Sequence, residues 1–360
     1  MLPVRLAVIP GDGVGPEVTA EVLRVLRVVE RRSQVPFDIV EFPWGTDHYL
    51  RTGHVAPPDF LEVLRGFDAI LLGAMGDPRV PDHIPVGLVL QIRRQFDLYV
   101  NLRPIRLVPG VPTPLAHRPT IDILFVRENT EGEYAQSGGR LYTGSKDEIA
   151  VHTAVFTARG IERVAVYAFE RARRRRRLVT SVSKANALPH TYGLWDEVVK
   201  RVASRYPDVT FETVLVDAMA YHMVRQPDRF DVVVASNLFG DILTDLGAAL
   251  QGGLGLAASA NLNPDGPYPA MFEPVHGSAP DIAGRGIANP VGAIWSAALA
   301  LEYLAHRGRL PGGDRLAEVV VQAITDVLGV GPHTPDLGGS ASTSDVGRAI
   351  TERVTELMGL

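Results

Sequence analysis

The stretch Phe230-Asp-Val-Val-Val-Ala-Ser-Asn-Leu-Phe-Gly-Asp-Ile-Leu-Thr-Asp-Leu-Gly247 decides the fold class. Its first half, Phe230 to Ser236, is a continuous apolar run of the kind that forms a buried strand. Its second half reads as a helix and sets Asp241 and Asp245 four residues apart, so both carboxylates fall on one face and can share a hard cation. The pair then sits just past a strand's carboxyl end, where open α/β sheets bind ligands. An isolated Asp-x-x-x-Asp also fits a solvated helix face, and the rest of the chain has to decide between the two.

Outward from this stretch, strand-like apolar runs recur at Val4–Ile9, Ala69–Leu72, Ile121–Val126, Val164–Tyr167 and Val232–Ala235. Helical patterns separate several of them, and that alternation indicates an α/β protein. The clearest helix follows the first strand: Pro16 suits a first turn, and Val18, Val22, Val25, Leu26 and Val29 form one stripe. Helices are also expected at Val291–Leu304, Arg315–Leu328 and Asp345–Leu357. Segment 136–156, rich in Gly, Tyr, Thr and Ser, reads as neither helix nor core and suits an arm that pairs with a partner subunit.

With 360 residues and 46% hydrophobic content, the chain can bury a large core in two lobes or one large α/β body. A net charge of −5 argues against a general nucleic-acid or membrane-surface binder. The absence of cysteine excludes disulfides, zinc–thiolate sites and cysteine nucleophiles, which fits the cytoplasm. No signal-peptide pattern precedes the first strand, and the apolar helix Val291–Leu301 is too short to span a bilayer. The arginine run Arg171 with Arg173 to Arg177 closes a helical stretch, Glu162–Ala172, where cations complement the helix dipole. No aromatic residues interleave it, so it reads as a helix end and not as a nucleic-acid site.

Three arginines lie near glycine- or proline-marked turns: Arg93, Arg103 in Asn-Leu-Arg-Pro104, and Arg127 in Phe-Val-Arg-Glu-Asn129. Guanidinium forks suit a dicarboxylate substrate, although singly each also fits a surface ion pair. Of 36 basic residues only Lys146, Lys184 and Lys200 are lysines. Lysine can lose its proton and arginine cannot, which singles out Lys184 in Thr180-Ser-Val-Ser-Lys-Ala-Asn186 for general-base or proton-relay work. Tyr134 could serve as a general acid or be a packed tyrosine. Asp217, after the alternating strand Thr210–Val216, is a third oxygen ligand or an N-cap.

Two glycine-rich segments do not support a Rossmann domain. Gly11-Asp-Gly-Val-Gly-Pro16 places proline where the fingerprint needs its third glycine, and Gly253-Leu-Gly-Leu-Ala-Ala258 follows a helix. The better cofactor candidate is Glu273-Pro-Val-His-Gly-Ser-Ala-Pro-Asp-Ile-Ala-Gly284 with Ile287-Ala-Asn-Pro290. It offers small residues, a histidine, and Asp281, whose carboxylate would accept from ribose hydroxyls and repel a 2′-phosphate.

Together these segments resemble the β-decarboxylating dehydrogenases of the isocitrate/isopropylmalate dehydrogenase family. Ile9–Pro16, Asn101–Pro104, Arg127–Asn129, Asn237–Asp241 and Glu273–Asp281 stand in the family's order and spacing. Val80–His83, Pro109–Pro112 and Val126–Tyr134 are most similar to the D-malate and tartrate branch. The resemblance implies a two-lobed α/β fold with a large mixed sheet flanked by helices. Residues 1–98 with 252–360 would form the cofactor lobe, and 99–251 a central lobe carrying the arm and dimer interface. It implies that Arg93, Arg103 and Arg127 hold substrate carboxylates and that Asp217, Asp241 and Asp245 ligate Mg2+ or Mn2+. Lys184 would relay a proton and Tyr134 protonate carbon, with Lys184 and Asp217 reaching in from the other subunit of a homodimer. His276, Gly277, Ser278, Ala279, Asp281 and Asn289 would bind NAD, Asp281-Ile282 standing where NADP-dependent members carry basic and aromatic residues.

The implied reaction is NAD- and metal-dependent oxidative decarboxylation of a (2R)-2-hydroxy dicarboxylic acid, D-malate or tartrate first and 3-isopropylmalate as the alternative. A catalytically silent regulatory subunit is a reading of a different class, and the retained metal ligands, lysine and tyrosine speak against it. One departure concerns substrate identity: Ile84–Leu90 replaces the tryptophan-bearing segment usual in the D-malate and tartrate branch, and Gly87 stands near the place of the isocitrate-type serine.

Overall fold

The structure, a computed structural model, describes residues 2–359. In chain order its strands are β1 (Val4–Gly11), β2 (Phe37–Glu41), β3 (Ala69–Ala74), β4 (Val100–Arg106), β5 (Asp122–Glu128), β6 (Gly132–Leu141), β7 (Ile149–Val155), β8 (Leu178–Ser183), β9 (Thr210–Leu215), β10 (Val232–Ala235), β11 (Ala258–Leu262) and β12 (Ala270–Pro274). Its helices are α1 (Gly15–Ser33), α2 (Thr46–Thr52), α3 (Phe60–Leu64), α4 (His83–Gln95), α5 (Ala158–Arg173), α6 (Thr191–Ala203), α7 (Val216–Arg225), α8 (Asn237–Gln251), α9 (Val291–His306), α10 (Gly313–Val330) and α11 (Thr343–Leu357). The chain divides into two compact units. Unit 1 is Met1–Leu98, Leu107–Pro114 and Ala248–Leu360; unit 2 is Tyr99–Arg106 and Leu115–Gly247.

In unit 1 the strands run in the order β2-β1-β3-β12-β11. β1 is parallel to β2 and β3, and β12 is parallel to β3, while β11 returns antiparallel to β12. Side chains of one sheet face, Ala7, Ile9, Ile70, Leu72 and Met271, join Phe60, Leu64, Leu88, Ile92 and Phe96 in one apolar cluster. Helix α9 is buried on nearly every side, packing on β11 and β12 and against α1 and α10. The stripe of α1 buries all five of its expected apolar residues. Each contributes about 1.5–3 kcal/mol relative to exposure in water. The three C-terminal helices form where the sequence places them.

In unit 2 the order is β4-β5-β10-β8-β9. β4 is antiparallel to β5, and β5, β10, β8 and β9 are mutually parallel neighbours. The expected strand at Val164–Tyr167 is not one: it lies inside α5, whose buried positions Ile161, Val164, Ala165, Ala168, Phe169 and Ala172 follow the helical period. A four-residue apolar window cannot display that period. Thr157 caps α5, its hydroxyl accepting from the Gly160 N–H at 2.9 Å.

The arginine run after α5 is more engaged than a solvated helix end. Arg173 pairs with Asp208 at 2.8 Å, Arg175 with the fully buried Asp231 and with Asp122, and Arg176 donates to the Asp228 and Phe230 carbonyls. It ties α5 to the starts of β5 and β10. β6 and β7 form a separate antiparallel pair spanning the expected arm, with Leu141, Tyr142, Ile149 and Val151 exposed. Among the described residues no helix is long and apolar enough to cross a membrane.

Candidate active site

Strand register builds the central cluster of unit 2. Asn101 and Arg103 are two apart on β4 and share a face, and Asn101 lies opposite Arg127 of β5, which in turn neighbours Ala235 at the end of β10. The chain leaves β10 directly into α8, whose first turn lies over Arg127. A Cβ on Gly240 would stand 2.6 Å from Arg127 Cγ, so only glycine admits this approach. Arg127, 2% exposed, donates from Nε and Nη2 to Asn237 Oδ1 at 3.0 and 2.7 Å, and its Nη1 meets Asp241 Oδ1. Asn237 is anchored by donating to the Glu131 carbonyl at 3.0 Å.

Arg103 is held in the same way. It donates to Asn101 Oδ1 and Thr244 Oγ1, both at 2.7 Å, and its Nη1 lies 3.2 Å from Asp241 and 3.9 Å from Asp245. Tyr134 on β6 donates its hydroxyl to Asp241 Oδ2 at 2.8 Å, with the Arg127 guanidinium over its ring. Burial and the Asp241 carboxylate push the phenol pKa up, so Tyr134 stays protonated at neutral pH. Burial likewise raises Asp245, against the pull of Arg103. Arg103, Arg127, Tyr134, Asp241 and Asp245 therefore form one site.

Lys184 and Asp217 form a separate pair. They follow the ends of the neighbouring strands β8 and β9, and Lys184 Nζ donates to Asp217 Oδ1 at 2.7 Å, which lowers the carboxyl pKa. Asp217 is the second residue of α7 and not its N-cap. Among the described residues no three His, Asp or Glu side chains are grouped to hold a metal ion, so Asp217 does not join Asp241 and Asp245 within one chain.

The other expected residues lie in unit 1. Arg93, in the last turn of α4, pairs with Glu273 of β12 at 2.6 Å. The loop after β12 carries His276 to Asp281 and packs against the turn after β1. Val14 N–H donates to the Ser278 carbonyl at 2.8 Å, and a Cβ on Gly13 would stand 2.0 Å from that oxygen. Asp12, buried, fixes the turn by accepting from Thr46 and the Gly76 N–H. His276 Nδ1 lies 2.9 Å from the Gly277 carbonyl, so that nitrogen carries the proton and Nε2 is left a buried acceptor without a partner. Burial lowers its pKa and keeps the ring neutral. Asp281 is exposed, whereas Asn289 is committed to the fold: it accepts from Val291 N–H and donates to Asp336, both at 3.1 Å.

A family model described as isocitrate/isopropylmalate dehydrogenase matches residues 5–350. The chain belongs to that family. It is 46% identical over 356 residues to a probable tartrate dehydrogenase/decarboxylase of Bacillus subtilis, with 98% of each chain covered. It is 47% identical to the decarboxylating D-malate dehydrogenase of Escherichia coli, over 97% of this chain and 98% of that one. To a 3-isopropylmalate dehydrogenase of Thermobifida fusca it is 50% identical, again with 98% of each covered. The crystal structure of isocitrate dehydrogenase from Methylococcus capsulatus aligns with a TM-score of 0.85 at 38% identity, over 98% of this chain and 99% of that one. The protein is thus an enzyme of the decarboxylating dehydrogenase family with its two-lobed α/β fold.

Several residues of this family member carry the site without having been singled out from the sequence. Asn101, Asn237 and Thr244 orient the arginines, and Glu273 with Asn261 orients Arg93. Asn237 and Glu273 stand inside motifs quoted for other reasons, and nothing in composition distinguishes Thr244 or Asn261.

Proposed function

We propose that the protein catalyses NAD- and divalent-metal-dependent oxidative decarboxylation of a (2R)-2-hydroxy dicarboxylic acid, D-malate or tartrate, in a homodimer. The observation that carries the reading is the convergence of Arg103 and Arg127 with Asp241, Asp245 and the protonated Tyr134 on one face of α8. Two buried guanidinium groups suit carboxylates, and two oxygen donors four residues apart suit Mg2+ or Mn2+. Such a cation would polarise the 2-hydroxyl and stabilise charge on oxygen as CO2 leaves. NAD+ would take up the hydride from C2, and the cofactor loop suits it. The bare Nε2 of His276 can accept from an adenine amine or a hydroxyl, and Asp281 can accept from ribose.

Within this scheme Arg103 and Arg127 orient the substrate, and Lys184 takes the hydroxyl proton. Tyr134 returns a proton to C3 once the carboxylate has left. D-malate dianion and NAD+ then yield pyruvate, CO2 and NADH with no net proton released. Lys184 and Asp217 would serve the α8 site of a second copy. The reading is supported by the separation of Asp217 from the other two aspartates and by large exposed apolar side chains on α7 and α8, Tyr221 at 61% and Ile242 at 59%.

One observation favours 3-isopropylmalate as a second reading. On α4 the positions one and two turns before Arg93 on its face are Leu90 and Val86, apolar residues that would suit an alkyl substituent. The experiment is NADH formation with Mg2+ or Mn2+, comparing kcat/KM for D-malate, the tartrate isomers, 3-isopropylmalate and isocitrate. Preference for D-malate or tartrate supports the first reading and preference for 3-isopropylmalate the second. No turnover of any of them would favour a silent subunit.

A further inference from the structure

β11 and β12 of unit 1 are wholly buried, one face carrying Ala258, Ala260 and Leu262 with Ala270, Phe272 and Pro274, and the other Ser259 and Asn261 with Met271 and Glu273. Asn261 is 0% exposed. A buried amide is costly unless its hydrogen bonds are made, and a hydrocarbon of similar size would fill the position at less cost. Asn261 spends its NH2 group on two acceptors: the carbonyl of its cross-strand partner Met271 at 3.1 Å, and Glu273 Oε1 at 2.8 Å.

That same oxygen, Oε1, accepts from Arg93 Nη2 at 2.6 Å. The geometry is not the two-pronged fork that arginine and carboxylate usually adopt, because Arg93 Nε–H is buried and makes no hydrogen bond. Rotation about its terminal torsion would let the Glu273 carboxylate face Nε and Nη2 together and turn the guanidinium out of its present aim. The Asn261 amide draws Oε1 toward the strand pair and opposes that rotation.

We propose that Asn261 is a positioning residue for substrate binding: it fixes the Glu273 oxygen to which Arg93 Nη2 donates, so that the guanidinium is aimed with its Nη1 group left for an incoming carboxylate. The inference rests on the reading that Arg93 receives a carboxylate of the hydroxy diacid. Asn261→Ala frees Glu273 to close on Arg93. The KM for the diacid should rise about tenfold, the size of one lost positioning hydrogen bond. Both kcat and the KM for NAD should stay within about twofold, since neither transition-state contacts nor His276 to Asp281 are touched. In an Arg93→Lys background the same substitution should have no further effect.

A matched rise in the KM for NAD, an unchanged KM for the diacid, or an equal loss in the Arg93→Lys background would each overturn the proposal. The 15N signal of Arg93 Nε–H in the full-length protein, assigned through Arg93→Lys, supplies a readout independent of turnover. It should shift on transfer of the carboxylate in Asn261→Ala, and an unmoved signal would refute the positioning role even if no hydroxy diacid proves to be a substrate. Should Asn261→Ala fold poorly, Asn261→Ser, which leaves a smaller cavity, is read by the same signal.

Discussion

Gly240→Ala tests how tightly α8 presses on Arg127. The added methyl would lie 2.6 Å from Arg127 Cγ and 2.7 Å from its Cβ, about 0.8 Å inside the 3.4 Å at which ordinary contact begins. Neither side yields easily. Arg127 belongs to a strand paired on both edges and its guanidinium is pinned by two bonds to Asn237, while Gly240 N–H is engaged with the Ser236 carbonyl. Forcing the methyl in should cost about 1–3 kcal/mol of stability. It should also displace the guanidinium from Asp241, and a misplacement near 1 Å lowers kcat/KM about 10²-fold. Gly247→Ala is the control, because its methyl would meet the side-chain end of Ile105, Cδ1 at 2.1 Å, and not Arg127. Thermal melts and kcat/KM for the preferred diacid should show both variants destabilised and only Gly240→Ala strongly impaired. Equal activity losses, or a Gly240→Ala enzyme of unchanged kcat/KM, would refute the idea that α8 sets the position of Arg127.

Three further substitutions probe separate roles. Lys184→Met should abolish overall turnover while leaving NAD binding intact, measured by NADH formation and by titration; turnover near wild type would remove the proton-relay role. Tyr134→Phe should slow the decarboxylation and protonation phase more than hydride transfer in single-turnover traces, and an unchanged overall rate would count against the general acid. Because burial and Asp241 raise the Tyr134 pKa above its usual value of about 10, the phenol is lost only at high pH, and the wild-type rate should show no alkaline limb from Tyr134 below that value. Asp281→Lys should move cofactor preference from NAD toward NADP, and unaltered discrimination between the two would exclude Asp281 from the choice.

What the sequence made legible follows from the range over which each signal acts. The α1 stripe and the strand–helix junction at Ser236–Asn237 are local periodic patterns and read correctly. Val164–Tyr167 fits either period as four apolar residues, and the helical stretch read over Glu162–Ala172 for the arginine run is the reading α5 bears out. Arg103, Arg127, Asp241 and Asp245 were visible by residue type and spacing. The groups that aim them were not: Asn237 reaches Arg127 across 110 residues of chain, and Thr244 reaches Arg103 across 141. Asn289, in a cofactor-like segment, also accepts from Val291 N–H at the start of α9, a contact the motif alone does not reveal.

Under the proposed function, the charge balance against α8 would let the site discriminate among acids. Arg103 and Arg127 oppose Asp241 and Asp245, so the cluster is close to neutral before anything binds. A dicarboxylate alone would be drawn to the guanidinium groups but repelled by Asp241, and a divalent cation alone would be drawn to the aspartates but repelled by the arginines. At 3–4 Å in a partly buried setting each such term is a few kcal/mol, comparable with the attractions themselves. Arriving together, diacid and cation add no net charge, and each screens the other from its unfavourable neighbours. A site of this composition therefore favours a chelating hydroxy acid, which carries the cation's ligands with it, over a simple diacid of equal charge. Under the proposed function that selectivity would rest on two strand arginines and two α8 aspartates that the sequence keeps within 143 residues and the fold brings together.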